Sequence, residues 1–148
     1  ILDVGQEAGI ERNMPVVDDR GLVGRVTEAG VGWSRVLLIT DMRSVVNALT
    51  QSTRASGLVY GQPDGSLVME SIPQGDTASV GDTVFTSGLG GNFPRQILIG
   101  QVIEVQRKDY ELYQTAVIQP TVDFDHLELV LVITDFERVE PMLDQEAP

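Results

Sequence analysis

Apolar residues recur along this chain mostly with period two, in short runs rich in β-branched side chains and broken by Gly, Pro and Asp. That alternation belongs to strands, because successive side chains of a strand point to opposite faces. The pattern predicts strands at Pro15 to Val17, Leu22 to Glu28, Val36 to Thr40, Val45 to Thr50 and Leu58 to Tyr60. Five more are predicted at Leu67 to Ile72, Thr83 to Thr86, Ile97 to Val105, Leu112 to Gln119 and Leu127 to Thr134. In the last of these, Leu127, Leu129, Leu131 and Ile133 form one face, and Glu128, Val130, Val132 and Thr134 the other. A strand buried on one side and partly covered on the other fits. No segment holds a helical period over three turns. Pro63-Asp64-Gly65-Ser66 reads as a hairpin turn, with Pro presetting φ and Gly free to take the left-handed position.

Many short strands, Gly-rich turns and no helical crossovers predict an all-β fold of antiparallel sheets closed into small barrels, which removes exposed edges. A faint internal repeat points to two of them. Leu22-Val23-Gly24-Arg25-Val26 echoes Leu98-Ile99-Gly100-Gln101-Val102, and Leu37-Leu38-Ile39-Thr40-Asp41 echoes Leu131-Val132-Ile133-Thr134-Asp135, in the same order. Gly24 and Gly100, central in their runs, mark a bulge, a barrel corner or a close backbone approach. Because only four strands precede residue 50, the first barrel is expected to borrow the C-terminal strand. The predicted division is residues 1–49 with 120–139 in one barrel, 50–119 in a second, about six strands in each, and an acidic tail over 140–148.

The composition bounds the chemistry. At 148 residues with 42% hydrophobic and 22% charged positions, the chain is long enough to bury a core and is not of disordered composition. Its formal net charge of −12 repels phosphate backbones and anionic headgroups, so nucleic acid is not an expected partner. With no cysteine there is no disulfide framework and no thiolate metal site. The longest apolar run, Leu129 to Ile133, is far short of the ~20 residues of a membrane-spanning helix. The chain opens at Ile1 without a Met or a signal-like segment, which reads as a trimmed or processed product.

The segment Val80-Gly81-Asp82-Thr83-Val84-Phe85-Thr86-Ser87-Gly88-Leu89-Gly90-Gly91-Asn92-Phe93-Pro94 is the most informative. Its Gly and Pro content predicts a shaped loop after Thr86. A phosphate cradle is not expected, since no Gly-Lys-Ser/Thr follows and no helix offers its N-terminus. Asp82-Thr83 is followed by Val84, so the Asp-Thr/Ser-Gly of aspartic proteases is missing. A serine hydrolase on a trypsin-like double barrel needs Ser87 as nucleophile and His126, the sole histidine, as base, in an order opposite to the chymotrypsin one. Asp123-Phe124-Asp125-His126-Leu127-Glu128 could tempt a metal assignment, but it reads as turn chemistry before a strand, with no complete ligand set. Asp18-Asp19-Arg20-Gly21 reads as a polar turn. Trp33 reads as a core or barrel-mouth aromatic. A secreted carbohydrate-binding β module is a further alternative, although the eight aromatic residues fall mostly on strand-like runs.

Gly21-Leu22-Val23-Gly24-Arg25-Val26, Val36 to Asp41, Gly81 to Gly91 with Phe93-Pro94, and Ile99-Gly100-Gln101-Val102, in this order, resemble the C-terminal region of the rod shape-determining MreC family over residues 4–135. One departure stands out: where the family usually has Gly two residues after Phe-Pro, this chain has Gln96. The resemblance implies two trypsin-like β-barrels without catalytic residues, at the extracytoplasmic (periplasmic) face of the inner membrane and anchored by an N-terminal transmembrane helix followed by a coiled coil. It implies a non-enzymatic scaffold of wall elongation, with no cofactor, metal or small-molecule substrate. The implied partners are a second copy, the elongation penicillin-binding transpeptidase, MreD and the MreB system. Ser87, Gly88, Gly90, Gly91, Phe93, Pro94, Gly24 and Gly100 are the candidate structural-loop and interaction residues. The loop is expected to fix barrel geometry, with Phe93 as an apolar plug.

Overall fold

The computed structural model describes residues 1–75, 78–107 and 110–135. The predicted acidic tail, 140–148, and the last residues assigned to the first barrel lie outside the described residues. Ten strands run in order: β1 (Pro15–Asp18), β2 (Gly21–Gly30), β3 (Trp33–Leu38), β4 (Val45–Thr50), β5 (Ser56–Gly61), β6 (Leu67–Pro73), β7 (Thr83–Thr86), β8 (Leu98–Gln106), β9 (Tyr113–Pro120) and β10 (Leu131–Val132). The only helical pieces described are single 3-10 turns at Gln6–Ala8 and Phe124–His126. No helix among the described residues is long and apolar enough to cross a membrane.

β4 to β9 close into an antiparallel barrel in the order β4-β5-β6-β9-β8-β7. Period-two alternation fills it: Val46 and Ala48 from β4, Val59 from β5, Leu67 and Met69 from β6, and Ala116 and Ile118 from β9 are all buried. A six-stranded barrel has room for side chains only, so these residues are its packed core. Bulges in β6 and at two places in β8 supply the curvature that closure needs. The predicted hairpin forms between β5 and β6. The Asp64 carboxylate accepts from the Ser66 N–H (2.9 Å) and hydroxyl (2.6 Å), and Gly65 takes φ 84°.

The remaining strands form a second antiparallel sheet, β10-β1-β2-β3. Three details differ from the sequence reading. The boundary at 49/50 falls inside β4, whose register with β5 and β7 makes Val45 to Thr50 barrel residues. The N-terminal lobe has four described strands rather than about six. Its last strand is only two residues long, because β1 offers just Val16 and Val17 as partners for Val132 and Leu131. The expected alternation holds over Leu129 to Val132 and breaks before it, at Leu127. Leu127, Val130 and Val132 pack inward against the lobe core, while Leu129 and Leu131 are exposed. The second echo is therefore not a repeat between lobes, since β3 and β10 are the two outer strands of one sheet.

The lobes share packing. Leu22 and Ile39 belong to the barrel's buried cluster, and Phe124 touches both cores. The Thr121 hydroxyl donates to the Arg20 carbonyl (2.8 Å), while its N–H donates to that of Ile99 (3.1 Å). Gly24 and Gly100 have one physical reason in common: a Cβ on either would run into the neighbouring strand's backbone, at the carbonyl oxygens of Leu37 and Gln119.

Candidate functional site

The Gly-rich loop emerges from β7, and its entry and exit are fixed by side chains that the sequence reading passed over. Gly81 turns the chain at φ 92°, and its N–H donates to the Val102 carbonyl (2.8 Å). The adjacent Asp82, buried, accepts from the Ser52 hydroxyl (2.7 Å) and N–H (3.2 Å), tying the β4–β5 turn to the start of β7. At the other end of β7, buried Thr86 closes the loop. Its hydroxyl donates to the Pro94 carbonyl (2.6 Å) and accepts from the Ile97 N–H (2.9 Å), and its own carbonyl accepts from the Gln96 N–H (3.0 Å).

Between these ends, the Ser87 N–H donates to the Asn47 carbonyl (3.0 Å) and the Ser87 hydroxyl accepts from the Leu89 N–H (3.2 Å). Gly88, Gly90 and Gly91 stand at φ 79°, 80° and 73°, where a Cβ is disfavoured. The succession of left-handed residues turns the chain back so that Phe93, 6% exposed, enters the barrel's apolar cluster. Ser87, Gly88, Gly90, Gly91, Phe93 and Pro94 thus lie together on one loop under the barrel. Gly24 is not among them; it sits in the other lobe's sheet, and Gly100 lies on β8.

The side chains of the hydrolase reading have partners elsewhere. Ser87 is engaged within its own loop, whereas His126 Nδ1 pairs with Asp123 Oδ2 at 2.9 Å on the 3-10 turn of the other lobe. Asp123 also caps that turn by accepting from the Asp125 N–H (3.2 Å). Among the described residues no three His, Asp or Glu side chains converge as a metal set would. Among the described residues three carboxylates have pKa values displaced from the ordinary range, and all three are pulled down. Arg43, through its side chain and then its backbone, holds Asp41 at about 2. The Gly5 and Gly32 amides lower Glu7. The Ser66 hydroxyl and amide lower Asp64. Each is an anionic turn clamp, the reverse of the raised pKa that general acid catalysis requires.

A family model described as rod shape-determining protein MreC, barrel core, matches residues 1–134. The chain belongs to the MreC family. It is 35% identical over 144 residues to the cell shape-determining protein MreC of Cereibacter sphaeroides, covering 97% of this chain and 46% of that relative. The chain therefore spans about half the length of the curated relatives it matches. A solved MreC structure from Listeria monocytogenes superposes with TM-score 0.81 at 35% identity, covering 88% of this chain and 64% of that one. A Helicobacter pylori MreC solved in a complex with penicillin-binding protein PBP2 superposes with TM-score 0.70 over 83% of this chain and 79% of that chain. At 22% identity that likeness shows the fold alone. Gln96 stands at φ 62°, a left-handed conformation that glycine adopts more readily than glutamine.

Proposed function

We propose that this chain is the extracytoplasmic binding module of a cell-wall elongation scaffold, acting through protein contacts and not by catalysis. In this reading it is held at the periplasmic face of the inner membrane by a transmembrane helix N-terminal to Ile1. Its partners are the elongation penicillin-binding transpeptidase, MreD, the MreB system and further copies of itself. Family membership over residues 1–134 carries the reading, and the complex of the Helicobacter pylori relative with a penicillin-binding protein supports the choice of first partner. The geometry agrees with a scaffold, because the loop motif buries Phe93 in the barrel and bonds Thr86 within the loop, while Leu89 stands exposed, and the shifted carboxylates of Glu7, Asp41 and Asp64 clamp turns. The surface offers contact points of another kind: Tyr110 and Leu112 are 82% and 80% exposed between β8 and β9, and large exposed side chains of this type serve as interface anchors.

The test is capture from detergent-solubilised membranes with the whole protein as bait. Recovery of the elongation transpeptidase, lost on Tyr110→Ala with Leu112→Ala while the melting temperature holds, supports the reading. Recovery of no wall-synthesis protein overturns it. A serine-reactive probe labelling Ser87 stoichiometrically, with loss of labelling in Ser87→Ala, would instead establish the hydrolase. Binding to isolated glycan strands would establish the carbohydrate module.

A further inference from the structure

Three of the chain's ten lysines and arginines line one groove, in a protein whose formal net charge is −12. Arg25, Arg35 and Arg43 border about 610 Å³ of open space over β2, β3 and the turn that follows β3. Two of them are already paired inside the groove, Arg35 with Glu28 at 3.3 Å and Arg43 with Asp41 at 2.8 Å. Arg25 differs. Its guanidinium donates to the side-chain oxygen of Asn13 (3.1 Å), and among the described residues no carboxylate pairs with it. Its neighbour Val26 enters the lobe core, so Arg25 points to the opposite face of the sheet.

The topology brings anions to this face. Just past β10 the Ile133 N–H donates to the Pro15 carbonyl (2.8 Å); Pro15 lies opposite Arg25, and Arg25 opposite Leu37. These four residues form one row across the sheet, and the chain leaves β10 at the end of that row. Neighbouring strands lie about 4.8 Å apart, which puts Arg25 about 10 Å from Ile133, and each residue of extended chain spans about 3.3 Å. The sequence that follows carries Asp135, Glu137, Glu140, Asp144 and Glu146 against the single cation Arg138. We infer that this acidic segment turns back over its own sheet and occupies the arginine groove, with Glu137 on Arg25 and Glu140 within reach of Arg35 and Arg43. Exposed ion pairs are individually weak. Covalent attachment raises the effective concentration of the segment, and three guanidinium groups share its charge. An acidic partner then reaches the groove only by displacing the segment.

Paramagnetic NMR on the 148-residue chain tests this. The chain has no cysteine, so Leu143→Cys carrying a nitroxide puts one label on the segment, with the reduced label as reference. The amide signals of Arg25, Thr27 and Leu37 are expected to lose intensity at low salt. They should recover when ionic strength rises from about 0.01 M to about 1 M, which cuts the Debye length from ~30 Å to ~3 Å. Glu137→Gln with Glu140→Gln leaves the sheet's own residues unchanged and should abolish the loss. Arg25→Gln should do the same at an unchanged melting temperature. Signals indifferent to the nitroxide, or a loss that survives the double substitution or high salt, overturn the inference. In a mixed sample of isotope-labelled chain without nitroxide and unlabelled chain with it, no loss is expected; loss there assigns the groove to a second copy's segment and overturns the inference as well.

Discussion

Replacing Phe93 with Ala tests whether the family's loop is built for packing or for contact. An aromatic side chain buries about 150 to 250 Å², and at about 25 cal/mol/Å² its full burial is worth roughly 4 to 6 kcal/mol. Phe93 is 6% exposed, so nearly all of that applies. Alanine keeps the Cβ contacts, and the loop cannot collapse freely into the void, because Thr86 holds both of its ends and Gly88, Gly90 and Gly91 are committed to left-handed conformations. The expected cost is therefore about 3 to 5 kcal/mol, in line with Phe truncations in other cores. Against a total stability of about 5 to 15 kcal/mol, this lowers the melting temperature by roughly 10 °C. Thermal and urea unfolding of the variant give the number, and binding to the captured transpeptidase is measured on the same preparation well below the new midpoint. A melting temperature equal to the parent's, with partner binding abolished, would refute the packing role and make Phe93 a contact residue.

Four further outcomes follow from the same geometry. Thr86→Val keeps the shape but removes the hydroxyl that serves Pro94 and Ile97; leaving buried groups unsatisfied should cost about 1 to 3 kcal/mol in urea unfolding. Gln96→Gly relieves a left-handed non-glycine at φ 62°, a strain of about 1 to 2 kcal/mol partly offset by the greater chain entropy of glycine, so a net gain of about 0.5 to 1 kcal/mol is expected in the same assay. Asp41 should titrate near pH 2 by NMR and return toward its ordinary 3.8 in Arg43→Ala; because its folded pKa is lowered, its contribution is complete above about pH 3.8 and fades as pH falls toward about 2. Self-association of the 148-residue chain should be weak and strengthen with salt, which screens a net charge of −12; sedimentation showing a tight dimer indifferent to ionic strength contradicts this.

What the sequence made legible was local. Val45 to Thr50 and Thr83 to Thr86 match β4 and β7 in full, because alternation on a half-buried strand is written in neighbouring residues. Pro63 to Ser66 carried its turn for the same reason. Leu127 to Thr134 misled, since alternation alone does not say how long the partner strand is, and β1 ends at Asp18. The lobe boundary was set too late because β4 pairs with β7, more than thirty positions along the chain, and no local pattern shows which sheet a strand joins. In the loop the glycines and Phe93 stood out by type. Thr86, Asp82 and Ser52 did not, since a buried threonine or aspartate shows its value only through its partners. The Gly-Asp and Thr-Ser of the motif were visible as letters, and their role as clamps at the two ends of β7 was not.

The inward course of the loop changes how the family's most specific motif should be connected to function. A residue can matter to assembly by touching the partner or by holding the body that does. Phe93 and Thr86 are placed for the second role, because both are buried and Thr86 bonds within the loop, and the left-handed glycines give the loop the turn that brings Phe93 inward. The junction works in the same sense. Thr121 bonds across it, and Phe124, Leu22 and Ile39 knit the two cores, so the relative orientation of the lobes is fixed by packing rather than by a flexible linker. A partner spanning both lobes then meets a preorganised surface and avoids part of the ordering cost of binding. Substitutions at the motif should accordingly weaken such a partner in proportion to the stability they remove, whereas substitutions at exposed Tyr110 and Leu112 should weaken it with the fold intact.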